Sequence, residues 1–95
     1  MSKSIMSNER KCFACSSTYN LHRHHIYFGS ANRKLSEQDG CWVYLCANHH
    51  NMSRFGVHTG NRALDIHLKQ ECQRKWEAKN GTREDFIKRF GKNYL

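Results

Sequence analysis

Proline is absent from this chain, acidic residues are scarce, and no apolar run is long. Each of these gaps narrows the reading. The longest apolar run, Cys41 to Ala47, falls far short of the roughly 20 residues needed to cross a bilayer, so no membrane association is expected. The opening MSKSIMSNER holds no apolar segment that could act as a secretion signal, which places the expected compartment in a reducing cytoplasm. Five cysteines, an odd number spaced as short pairs, argue against a disulfide framework and agree with that compartment. Eight Asp and Glu face sixteen Lys and Arg, for a formal charge of +8. That balance tilts the expected partner toward a polyanion such as nucleic acid, the bland alternative being a solvated basic face. No stretch is biased enough to read as a linker, and no repeat is visible. Residues 1–10 are polar and expected to be flexible, which leaves 11–95 as one domain.

A domain of 95 residues hides a smaller share of its surface than a larger one, so its core alone gives a thin stability margin. A bound metal would relieve that. Cys12-x2-Cys15 and Cys46-x2-His49 are two ligand pairs at zinc-knuckle spacing, and four such soft ligands can meet at one tetrahedral ion. They are read as a structural Zn2+ site. Six of the seven histidines lie between His22 and His58, so imidazoles remain beyond what one closed zinc site uses. That surplus is where chemistry is expected. Cys41 and Cys72 fit neither pair and read as small core residues.

Periodicity predicts a strand over Tyr19 to Ile26, with His24 and His25 on opposite faces unless the strand ends or bulges there. Phe28 to Gly40 reads as a loop, from which Arg33 and Lys34 reach phosphates. A second strand over Cys41 to Cys46 and a helical turn over Ala47 to Ser53 follow, broken at Gly56. Leu64, Leu68, Cys72 and Trp76 recur every four residues, with Ala63 and Ile66 beside them, and predict a helix from Arg62 to Lys79. His67 lies beside that stripe and is read as bland. Asn80-Gly81 ends the helix, and Thr82 with Asp85 forms a capping box for another that turns Phe86, Ile87 and Phe90 inward before Gly91. The expected fold is a small α+β zinc protein: a β-hairpin crossed by a short helix, with two C-terminal helices behind.

His24-His25, then Cys46-x2-His49-His50, then His58 is the order in which HNH nucleases present their active site. The segment from His24 to His58 resembles this ββα-metal endonuclease motif with its flanking zinc knuckles, and is most similar to the small HNH-type proteins encoded by bacteriophages. The strings HHIYFGSANRKLSEQDGCWVYLC, GVH and the terminal FGKNYL carry the resemblance, which covers residues 11–95. It implies a zinc-stapled treble-clef fold in which His25 is the general base, while His24, His50 and His58 hold a catalytic divalent ion (Mg2+, Mn2+, Ni2+ or Zn2+). It also implies DNA as substrate and the host bacterium's cytoplasm as location. Arg23, Arg33, Lys34 and Arg54 are the candidates for gripping the phosphate backbone.

The chain departs from the family pattern at three places. Cys41 stands where the family has the asparagine that holds its base, with Asn32, Asn48 or Asn51 as alternatives. Arg54 stands one helical turn after His50, where the last ligand usually falls, so a loop around Gly56 has to return His58. The second knuckle ends in His49 rather than cysteine, which leaves His49 and His50 able to exchange between the two ions. The function implied is hydrolysis of DNA phosphodiester bonds, with a homodimer or a phage protein as further partner. The alternative is a non-catalytic zinc module that binds DNA or bridges proteins in phage recombination, packaging or host takeover.

Overall fold

The structure is a computed structural model that describes residues 3–52, 56–58 and 60–95, without the side chains of residues 51 and 52. Strand β1 (Leu21–His25) leads into helix α1 (Ser30–Asp39) and returns as β2 (Trp42–Cys46). A single π-helical turn (Asn48–Met52) follows, then a long helix α2 (Arg62–Asn80) and a short α3 (Arg83–Phe90). The result is a small α+β domain with one two-stranded antiparallel sheet.

The register pairs His24 with Val43 and His25 with Trp42. Successive side chains on a strand alternate faces, so His24 lies on the opposite side of the sheet from Arg23 and His25. The strand ends at His25. Its end is the place where both faces can serve one groove.

The segment between the strands is a correction to the expected loop. Residues 30–39 form α1, entered at Gly29 and closed by Gly40 at φ 74°, whose N–H donates to the Ser36 carbonyl. Only glycine adopts that left-handed turn without strain. A Cβ on Gly40 would also lie 2.2 Å from the Lys3 carbonyl oxygen. Ser36 is fully buried, its hydroxyl donating to the Tyr27 carbonyl and accepting from the Tyr27 N–H. That exchange satisfies both ends of a polar contact in the core.

The leading residues, expected to be loose, are tied down at Ser4. Its side chain is buried and donates to the Trp42 carbonyl, while the Ile5 N–H donates to Gly40. Ile5 and Met6 then pack on the core.

Helix α2 buries Leu68, Cys72 and Trp76 as its stripe implies, and its N-cap Asn61 accepts from the Leu64 N–H. Ile66 stays 41% exposed and His67 is exposed, so the buried face is narrower than the pattern suggested. The capping box on α3 is present, with Thr82 and Asp85 satisfying each other's backbone amides. Phe86 and Phe90 are buried, but Ile87 is 37% exposed. Tyr27 stacks at 5.2 Å from Phe86 and 4.6 Å from Phe90, joining β1's exit to α3. Asp39 anchors the other end of α1, accepting from the Trp76 indole and from Arg89.

Candidate metal centres and the groove beside them

Cys12, Cys15, Cys46 and His49 converge, with their ligand atoms within 4.8 Å of one another. The knuckle is held against β2 because Phe13 N–H donates to the Tyr44 carbonyl and Cys12 N–H to the Ser17 carbonyl. Zinc–sulfur bonds of about 2.3 Å in a tetrahedron put sulfurs about 3.8 Å apart, and a sulfur and a nitrogen about 3.5 Å apart. Cys15 Sγ and Cys46 Sγ lie 3.7 Å apart, and His49 Nδ1 is 3.2 Å from Cys46 Sγ and 3.8 Å from Cys12 Sγ. The four groups are thus positioned to hold a metal ion. The exchange left open between His49 and His50 resolves in favour of His49 at this cluster.

Burial raises the Cys12 thiol, but hydrogen bonds from the backbones of Cys46, Cys15 and Ala14 outweigh it and hold the group below its ordinary value. Cys15 moves the other way. The Ser17 backbone lowers it, yet burial and the thiols of Cys12 and Cys46 together raise it. Such crowding favours loss of protons to a shared cation.

A second group lies beside the first. His24, His50 and His58 also bring one ligand atom each within 4.8 Å of the others. Their rings form a near-regular triangle, with centroids 5.1 Å apart for His24 and His58, 5.4 Å for His24 and His50, and 4.8 Å for His50 and His58. His58 lies eight residues on from His50 in sequence. Val57 N–H donates to the His49 carbonyl at 2.9 Å and His58 N–H to the His50 carbonyl at 3.1 Å, clamping the two segments side by side.

His24 is 1% exposed, and its Nε2 has no hydrogen-bond partner among the described residues. A buried polar atom left unpaired costs free energy, and a metal ion is one group that would satisfy it. Burial first, then the neighbouring His58 and His50, lower the His24 pKa to about 3. Burial, His58 and His22 lower that of His50 to about 4. Both rings are therefore neutral at physiological pH, as a metal-ligating imidazole must be. His22 adds a fourth ring, its Nδ1 2.9 Å from His50 Nδ1.

The imidazole cluster forms one wall of an open groove of about 410 Å³, which His25, Phe28, Ser30 and Arg33 also line. His25 joins it from the end of β1, and α1 meets it with its N-terminus. A second hollow of about 420 Å³ continues from His25 past Arg33 and Lys34. Both cations are exposed. Arg23 also lines the first groove, but two hydrogen bonds of 3.0 and 2.9 Å join it to Glu37, and its guanidinium lies 3.8 Å over the Trp42 ring. Arg54 lies outside the described residues.

Glu37 is the residue that sequence reasoning missed. Its carboxylate sits 2.9 Å from His25 Nε2, and that hydrogen bond, with the help of Arg23, holds its pKa below the ordinary value despite burial. The signal available was the glycine at each end of an uninterrupted ten-residue stretch, which reads as a helix as readily as a loop. Cys41 does not occupy the asparagine's role. It is buried against Cys72, and that contact and its burial raise its pKa. Asn32 is turned away to donate to the Phe90 carbonyl.

No family model, curated protein or solved structure matches this chain.

Proposed function

We propose that this protein is an HNH-type, metal-dependent endonuclease of treble-clef architecture that hydrolyses DNA phosphodiester bonds. The observation that carries the reading is the second cluster: three imidazoles, one of them buried with a nitrogen unpaired among the described residues, open onto a groove that also holds a further histidine and the exposed Arg33. A structural site needs no such opening.

Within that reading, Cys12, Cys15, Cys46 and His49 hold zinc and fix the π-helical turn that carries His50. His24, His50 and His58 hold the divalent cation, which when bound stabilises negative charge on the phosphate and on the departing 3′ oxygen. His25 takes the proton from the attacking water, a role suited to an imidazole near neutral pH. Arg33 and Lys34 grip the flanking backbone, giving affinity without reading sequence. The products are 5′-phosphate and 3′-hydroxyl ends.

The test is plasmid nicking with added Mg2+, Mn2+ or Ni2+, comparing the native protein with His25→Ala. Loss of a general base lowers the rate by roughly 10²- to 10⁴-fold, with fold and zinc content retained. DNA binding without cutting by the native protein would favour the non-catalytic zinc module, and no affinity for DNA at low salt would favour a protein-bridging scaffold.

A further inference from the structure

We infer that Glu37 is the positioning residue for His25, supplying from helix α1 the restraint that the HNH resemblance assigns to an asparagine on the second strand. The inference rests on the nuclease reading for its catalytic consequence, though not for its geometry. Glu37 Oε1 lies 2.9 Å from His25 Nε2. The same carboxylate receives both hydrogen bonds from Arg23, two residues back on β1, and the Arg23 guanidinium rests on Trp42, the cross-strand partner of His25. Four side chains thus form a closed frame: Trp42 supports Arg23, Arg23 orients Glu37, and Glu37 holds His25.

The chemistry of the frame decides which ring nitrogen does the work. A carboxylate only accepts, so the His25 nitrogen facing it carries the proton. Nε2 is then the donor, and Nδ1 carries the lone pair that faces water or substrate. A carboxylate at an imidazole's far nitrogen fixes both tautomer and ring angle. Of the alternative asparagines, Asn32 donates to the Phe90 carbonyl, away from His25, and the cysteine at 41 is buried against Cys72. The frame also commits Arg23 to Glu37, which leaves Arg33 and Lys34 as the more available phosphate contacts.

The test uses full-length, zinc-loaded, 15N-labelled protein. The His25 Nε2 proton is expected as a resonance protected from exchange with water. Glu37→Ala removes that resonance and lowers kcat for plasmid nicking about 10- to 100-fold, with KM and zinc content unchanged. Glu37→Gln, which keeps the length and an accepting oxygen, restores the resonance and most of the rate. A His25 ring proton that exchanges in the native protein as fast as that of exposed His67 overturns the inference without recourse to any variant. So does an undiminished kcat in Glu37→Ala once the proton is lost. Should the native protein cut no DNA while the ring proton follows the expected pattern, the pairing stands and the nuclease reading falls.

Discussion

His24→Leu separates a ligand from a structural histidine. The native ring is buried at 1% exposure with Nε2 unpaired among the described residues. An unsatisfied buried polar atom costs about 1–3 kcal/mol, and replacing the ring with an apolar side chain of similar volume costs less than about 1.5 kcal/mol. At pH 8, in protein supplied with no more than one equivalent of zinc, the substitution should therefore be neutral or stabilise by about 1 kcal/mol. Acid widens the difference. The folded pKa of His24 is lowered to about 3, so between that value and the ordinary 6.5 the unfolded chain binds the extra proton, and stability falls as pH falls. At pH 5 this linkage destabilises the native protein by about 2 kcal/mol relative to pH 8. The variant lacks that loss. His50 titrates in both proteins, and burial is the first cause of its lowered pKa in each, so the difference between them is read chiefly from His24. The gap between variant and native protein should grow from about 1 to about 3 kcal/mol, read by urea unfolding at the two pH values. If His24, His50 and His58 hold a cation, as proposed above, the same variant should bind one metal equivalent fewer than the native protein. A variant clearly less stable at pH 8, with a gap that does not widen in acid, would show that the ring is there for structure and refute the argument.

Two further outcomes follow from the geometry. Cys46→Ala should abolish tight binding of zinc supplied to the first group and lower the melting temperature of the zinc-supplied protein, because apparent binding energies of structural zinc run from about 10 to 16 kcal/mol; metal analysis and circular dichroism check this, and zinc bound as tightly as in the native protein would be the contrary result. Gly40→Ala should destabilise by about 2–4 kcal/mol, since it combines a left-handed φ of 74° with a Cβ pressed on the Lys3 carbonyl; thermal unfolding measures it, and a change below about 0.5 kcal/mol would contradict the packing of the N-terminal segment.

The C-terminal half was legible because its determinants are local. A four-residue apolar recurrence and a capping box mark α2 and α3, and aromatic and β-branched residues mark β2. The convergence of Cys12, Cys15, Cys46 and His49 was legible for the same reason, as paired spacings. Helix α1 was not, because its buried face is carried by Ser36, a polar residue whose burial depends on a reciprocal hydrogen bond with Tyr27. Polar patterning reads such a residue as surface. Gln73 repeats the lesson on α2, fully buried yet bonded to Glu77, Asn93 and the Tyr94 N–H. Once α1 was taken for a loop, Glu37 had no place to point. The return of His58 was hidden differently, since two backbone hydrogen bonds achieve it and neither has a side-chain signature.

The two candidate metal groups are not independent, and the reason lies in adjacent residues. His49 belongs to the thiolate cluster and His50 to the imidazole cluster. Both sit on one π-helical turn, a rare form that recurs at functional sites. The carbonyls of His49 and His50 accept from Val57 and His58, so the position of the third imidazole is set by the same few backbone atoms. An ion at the first group thus orients two of the three ligands of the second. His24, arriving from β1, is the member fixed by the sheet, whose pairing of Leu21 with Cys46 also begins at a thiolate ligand. A metal held at the first group would therefore do more than offset a small core: it would set the spacing on which any second cation depends.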